Sequence, residues 1–514
     1  MRVPFGSFAP DLPTLDNPGA LSALNVFPAR GFYRPVPSLS AYSGAFAARV
    51  QGAFTTQDTS GNVNVFVGSA AKIERLSASS LTPEDVTKAG GYTTDGEEIW
   101  SFTTDGAARV MATNYADPPQ SYVIGTSTDF ADLISSGMTS LKARYMAYVR
   151  EFVFFGNTTD GTDGARPGRV WWGKQGDPTN VPTPGTAAAI AAQSDFQDFG
   201  GDLGWVRGFI VGLAGAEVLV LFERGVVRGT YVGGNVIWQF DLVEGARGTP
   251  APGSIIQIGG RGFYLGDDGW YETNGALSEG IGASLIDSFF FDDTTHGLDS
   301  SYYSRICASA DPENKTFLVA YPSVSGSAGV LDRVLAFNWE SRNWSLISGL
   351  GNLEWLHLSR TLGYSLESLD SFSSSIDALT VSLDSRQWTG GRLQLVAFKS
   401  ADHIAYTFVG SNLAATITTK EVEPVEAQRA MLKEAWPLVE ATSVTITVTP
   451  ITRNRLNDAP STGTAVTQTS SGHCPLRTTA RYHRLQVDIA SGGTWTKALG
   501  VMVPGDKVAA MGGR

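Results

Sequence analysis

Asp267-Asp268 and Asp292-Asp293 are paired carboxylates, and oxygen pairs of this kind can hold a divalent cation. Their setting points elsewhere: Asp267-Asp268-Gly269 reads as a turn, with glycine free to take positive φ. The stretch NTTDGTDG, 157–164, is acidic and glycine-rich like a calcium loop. Counted from Asn157, however, its twelfth position is Gly168, where an EF-hand needs an acid, so a hairpin tip is the better reading. The five histidines are His296, His357, His403, His473 and His483, and none pairs with another at short metal spacing. His473-Cys474 and His483 share one stretch, but a tetrahedral zinc site needs a fuller ligand set. A strand histidine on a packed face is expected for His483.

Nucleophilic chemistry fares no better. Ser304, Cys307 and His296 are near each other in sequence, which does not make a triad. No GxSxG elbow occurs. GGRG (259–262) and GGN (233–235) open no helix, so they read as turns rather than phosphate cradles. Sialidase-like Asp boxes are absent, since SGGTWT (491–496) lacks the aspartate. Arg453, Arg455, Arg477, Arg481 and Arg484, with Tyr482 among them, form a basic cluster that could face DNA, an acidic neighbour or solvent. No catalytic, cofactor-binding or metal residue is assigned from these patterns, and no cofactor or enzymatic activity is expected.

The elements around these residues are strands. VLVLFERGVVRGTYVGG, NVIWQFDLVEG and SIIQIGGRGFYLGDDGWYETNG are strands joined by tight turns. Val236, Trp238, Phe240 and Leu242 would share one strand face by period-two alternation. Val218–Phe222 is continuously apolar, as in an inner strand covered on both sides. Apolar strands recur near Val63, Ala107, Phe152, Phe209, Phe263 and Phe317, at spacings of 44, 45, 57, 54 and 54. That period suits four-stranded propeller blades. Six blades are expected over 41–376, with a possible seventh around Glu354–Leu366. Residues 1–40, rich in proline and small residues, form an extended arm that wraps a surface or docks on a neighbour. Residues 377–514 are expected to form a β-sandwich region that follows the propeller or contributes to its closure. Its strands would be Ser443–Thr449, Arg481–Ile489 and parts of Thr407–Thr419. Helix-forming residues at 186–199 suggest a one- or two-turn insertion, and 427–436 has the same propensity. The fold class is therefore all-β: a β-propeller plus a C-terminal β-sandwich region.

The chain has 514 residues and a net charge of −12, with 17% charged residues. Such a balance excludes a nonspecific nucleic-acid clamp. Residues 1–376 carry 24 basic against 39 acidic residues, or −15; residues 377–514 carry 14 against 11, or +3. The acidic surplus could line a channel or coat the outer surface. Two cysteines far apart argue against a disulfide framework. The N-terminus lacks the basic and apolar regions of a signal peptide, and no apolar stretch reaches the roughly 20 residues of a membrane span.

Several segments, in order, resemble the tail tube or nozzle proteins of short-tailed, podovirus-type bacteriophages, including those labelled packaged-DNA stabilisation proteins. They are the run VLVLFERGVVRG through DDGWYETNG, then IGASLIDSFFFDD, ICASADPENKTFLVAYP, VLAFNWESRNWSLI and ARYHRLQVDIASGGTWTKALGVMV. The resemblance covers roughly the last three-fifths of the chain. It implies a virion structural protein of the tail, made in the host cytoplasm. It also implies a ring, usually of six copies, beneath the portal adaptor, which contacts tail fibres or spikes, retains packaged DNA and conducts it at ejection. It makes 427–436 a strand running into WPLV, against helix propensity. The alternatives are a propeller-type polysaccharide hydrolase, or a glycan-binding receptor module with Trp171-Trp172 as its exposed platform.

Overall fold

The computed structural model describes residues 1–511 except 16, 59–60, 79, 107, 215, 363–372, 374, 380–381 and 383–390. The protein is all-β. Among the described residues, seven antiparallel four-stranded units, here called sheets, follow one another along the chain; six are separate, and the sixth in order is one end of a ten-stranded sheet. Their opening strands are Gly52–Gln57, Ser101–Thr104, Lys142–Val149, Val206–Leu213, Ile256–Ile258, Cys307–Asp311 and Leu353–Arg360. In the first six, the other three strands follow in chain order and pair as a meander, with Asn180–Val181 and the helix Ala187–Ala192 inserted before the last strand of the third. The opening strands pack side by side in a closed cycle, the seventh returning to the first.

The hydrophobic pattern explains this arrangement. In each sheet the second strand is apolar at nearly every position, because alternate side chains serve two different cores. Val65 and Val67 pack against the seventh sheet, while Phe66 packs against the second. Phe152 and Phe154 face the fourth sheet; Val153 and Phe155 face the second. Phe317 and Val319 face the fifth sheet, and Leu318 and Ala320 face the seventh. Val218–Phe222 behaves the same way and is fully buried, as its continuous apolar run requires. A cluster of buried apolar residues therefore lies between every two neighbouring sheets. At roughly 1.5–3 kcal/mol per fully buried large side chain, these clusters are the main source of stability.

The seventh sheet departs from the pattern. Its opening strand Leu353–Arg360 pairs with Leu393–Lys399, which pairs with Ile404–Thr407. The fourth strand is Ser40–Ala45, from the other end of the chain. Two of its strands thus come from beyond residue 377 and one from the N-terminal segment. Residues 363–366 of the expected seventh repeat, and Ala107 of the second marker, lie outside the described residues.

Residues 1–40 pair into sheets of their own chain and contribute to its core. Arg2–Pro4 pairs with Thr494–Met502. Ser22–Leu24 lies between Asn343–Ile347 of the sixth sheet and Ala415–Thr418, joining the sixth sheet to the C-terminal strands. Phe5, Phe8, Val26 and Tyr33 are buried in the same core as Phe263, Phe317, Ile446 and Val487. The C-terminal region is β-rich, with Ile446–Arg453 paired to Tyr482–Ile489. Ile446 and Val448 are buried as expected, but Ser443 ends the preceding strand, Trp436–Ser443.

Other expectations need adjustment. Phe209–Val211 belongs to an opening strand, whereas the other four described markers, Val63, Phe152, Phe263 and Phe317, fall on second strands. Trp238 is buried and Phe240 half-buried, but Val236 and Leu242 are exposed. The register shifts between Tyr231 and Gly233, and Ile237 has φ 63°, so a bulge breaks the alternation there. The insertion at 186–199 is one short helix, Ala187–Ala192, capped by Thr186. In 427–436 the strand Arg429–Leu432 forms between Thr478–Ala480 and Val508–Met511, in line with the resemblance and against propensity.

Candidate functional site

Because the opening strands form a cycle, the loops that enter them converge at one end. Glu97 and Glu98 precede Ser101, Trp205 precedes Val206, Pro250 and Pro252 precede Ile256, and Ser304 and Arg305 precede Cys307. These loops, with Arg144, Tyr145 and Arg207 on opening strands, enclose a mouth of about 400 Å³. Ile99, Tyr145, Arg207 and Pro252 also line a narrower cavity of about 240 Å³ farther along the opening strands. There Phe102, Met146, Phe209, Ile255, Ala308 and Trp355 join the lining.

The mouth is charged but balanced. Arg144 Nε donates to Glu98 Oε1 at 2.8 Å, and Arg207 Nη2 to Glu223 Oε1 at 2.5 Å. Arg305 Nε donates to Glu97 at 3.1 Å, and the Ser304 hydroxyl donates to the same carboxylate. Burial raises the Glu97 pKa, but Arg305 and Ser304 outweigh it and hold the carboxyl below its usual range. Nearby, Glu354 accepts the Val50 backbone N–H at 3.0 Å and lies 2.8 Å from His403 Nδ1. Burial still leaves its pKa raised. The indole of Trp205 is 46% exposed, with the guanidinium carbons of Arg144 and Arg207 5.6 and 5.7 Å from its ring centre.

The residues singled out by sequence are dispersed. Ser304 bonds Glu97, the buried Cys307 thiol accepts the Leu356 N–H at 3.2 Å, and Arg333 Nε donates to His296 Nδ1 at 3.3 Å. They form no relay. Burial pushes the Cys307 thiol to about 12 and the Cys474 thiol to about 11. Burial holds His357 down to about 4, with its Nε2 2.7 Å from the Thr55 hydroxyl. His483 is buried on the packed face, its Nε2 within reach of the Ala480 and Ala430 carbonyls. His473 Nδ1 lies 2.9 Å from the Ser471 hydroxyl.

The acidic hairpin tip is filled by the chain itself. Asp160 accepts the N–H groups of Thr162 and Asp163, and the buried Arg169 binds Asp163 and Asp198 at 2.6 Å each. Asp268 accepts the Tyr271 hydroxyl, and Asp293 accepts two backbone N–H groups. Gly259-Gly260 form the turn between Ile256–Ile258 and Arg261–Leu265. Among the described residues, no three His, Cys, Asp or Glu side chains gather as a metal site. No helix there is long and apolar enough to cross a membrane.

Two expectations are corrected. Trp171 and Trp172 are buried, at 1% and 3% exposure, because they lie on a strand covered on both faces. They cannot serve as a platform; among the described residues Trp205 is the exposed tryptophan, and no motif marks it in the sequence. The basic cluster is largely neutralised. Arg453 and Arg484 converge on the buried Glu421, and Arg481 pairs with Glu423. The sequence does carry a signal for the mouth. Its residues stand on an opening strand or within seven positions before one, so assigning those strands predicts the convergence.

No protein-family model matches the chain, and no curated protein matches it. Among solved structures it is similar to the extracellular domain of a putative hybrid two-component system, BT4673, from B. thetaiotaomicron. The identity is 10% and the TM-score 0.33, with 71% of this chain and 52% of that chain covered. The chain thus spans about half the length of that structure.

Proposed function

We propose that the seven sheets are the blades of a β-propeller and that the protein is a structural subunit of the tail nozzle of a short-tailed bacteriophage. The observation that carries the propeller reading is the closed cycle of opening strands, with a separate core between every two neighbouring sheets. The C-terminal strands form the accompanying sandwich-like region. The nozzle reading rests on the ordered resemblance of the last three-fifths of the chain. It is supported by an architecture in which Arg2–Pro4 and Val508–Met511 are both paired into the body.

In this reading six copies form a closed ring beneath the portal adaptor and contact tail fibres or spikes, in the tail of a virion assembled in the host cytoplasm. DNA passes along the ring axis between copies. It does not pass through the propeller, whose opening strands place Phe102, Phe209 and Trp355 on the lining of the inner cavity. The acidic surplus of residues 1–376 is balanced at the propeller mouth, which leaves it for the outer faces. On faces turned to the ring axis it would repel phosphate over about 8 Å at physiological salt.

Native mass spectrometry of the chain, alone and mixed with the portal–adaptor complex, tests this. The expected result is a closed assembly of identical copies that forms on the adaptor. A chain that remains monomeric in the mixture, and is missing from purified tails, contradicts it.

A further inference from the structure

We propose that the propeller mouth binds a neutral oligosaccharide, laid across the indole of Trp205. This inference stands whether or not the chain belongs to a phage tail.

Three observations carry it. First, Trp205 is large, aromatic and nearly half exposed, at 46%, in a molecule whose other aromatics at these sheets are mostly buried. An exposed indole in a concave polar setting is costly to leave wet, and it offers an apolar face to the C–H side of a pyranose ring.

Second, Trp205 is the residue shared by two hollows. On one side lies the mouth of about 400 Å³, with Glu98, Arg144, Arg207 and Tyr303 in its lining. On the other lies a hollow of about 510 Å³, lined by Arg166, Asp198, Phe199 and Arg224 among others. One aromatic ridge with space on both sides suits a chain of sugars better than a single compact ligand.

Third, the charges at the mouth are already matched. Arg144, Arg207 and Arg305 each have a carboxylate partner: Glu98, Glu223 and Glu97. Neither an anion nor a cation finds an uncompensated partner there, and the carboxylates would repel phosphate. The groups that remain open to a ligand are the hydroxyls of the exposed Ser300 and Ser301. Planar guanidinium and carboxylate groups with spare donors and acceptors recognise hydroxyls, which both give and accept hydrogen bonds.

The test is an array of neutral and acidic oligosaccharides of one to six sugars, followed by calorimetry with the strongest neutral ligand. Affinity should rise with chain length as both hollows fill. Trp205→Ala should lower it by about tenfold or more, with the melting temperature unchanged. Ser301→Trp, at an exposed position in the lining, should block the mouth and give a similar loss. It serves as the independent variant if Trp205→Ala folds poorly. Binding that survives both substitutions, binding confined to acidic sugars, or no binding to any neutral sugar would overturn the inference.

Discussion

Ala405 donates its backbone N–H to the Ser43 hydroxyl at 3.1 Å, across 362 residues of chain. This contact lies in the seventh sheet, where Ser40–Ala45 supplies the fourth strand. A cycle of sheets closed by a strand from the opposite terminus cannot open without breaking that strand pair. The N-terminal segment also pairs with the C-terminal strand Thr494–Met502, and the Met1 ammonium donates to the Val503 carbonyl at 2.6 Å.

Deleting residues 2–30 should therefore abolish folding rather than merely weaken docking to a partner. The deletion removes Phe5, Phe8, Val26 and Phe27 from two cores and the bridging strand Ser22–Leu24. Loss of large core side chains costs about 3–5 kcal/mol each. Circular dichroism and size exclusion should show an unfolded or aggregated product. A monodisperse variant with the parent's melting temperature would contradict the assignment.

Phe263→Asp and Ile446→Asp should each destabilise the protein by several kcal/mol, since an unpaired carboxylate would enter an apolar interior. Although 183 residues separate them (446 − 263), both positions lie in one continuous core. The double variant should therefore unfold the cycle of sheets and the C-terminal strands together, which probes specific to each region can follow during denaturation.

Much of this plan is legible in the chain. The apolar runs at Val63–Val67, Phe152–Phe155, Val218–Phe222 and Phe317–Ala320 are second strands, and their hydrophobicity, broken only at the half-buried Asn64, follows from burial on both faces. The seventh sheet was harder to read because its strands are not consecutive, so spacing carries no signal there. Residues 427–436 show propensity losing to context, since Arg429–Leu432 gains two strand partners. The mouth has no motif. Glu97 meets Arg305 across 208 residues, a pairing that only the closed cycle creates.

Glu421 binds Arg453, Arg484 and the Thr14 hydroxyl with its carboxylate 1% exposed. Burial raises its pKa, but the two guanidiniums and Thr14 outweigh this and hold it low. Glu421→Ala should cost about 3–5 kcal/mol, because both arginines lose their buried partner. Chemical denaturation measures it; a change under about 1 kcal/mol would mean that water takes over the carboxylate's role.

Asp287 accepts the Trp270 N–H at 3.3 Å and sits near Asp11 and Asp268. Burial raises its pKa to about 7, with the two acidic neighbours adding to the shift. The unfolded value is about 3.9, so the folded state holds an extra proton between these limits. The stabilisation from this proton is present at low pH and lost as pH rises towards 7. Asp287→Asn should remove that loss, raising the melting temperature at pH 8 more than at pH 5. His357, held down to about 4, acts in the opposite sense: its contribution is lost as pH falls from about 6.5 towards 4. The two partly cancel in the parent, so comparing Asp287→Asn with the parent across pH isolates the carboxylate.

The central claim concerns a propeller subunit in a tail ring, and cryo-electron microscopy of intact virions tests it most directly. The expected map shows a ring of identical copies below the portal adaptor. Each copy would be a seven-bladed disc with a closed axis, and DNA density would run between copies. A map that places this chain outside the tail, or that threads DNA through the axis of a single copy, would contradict the account.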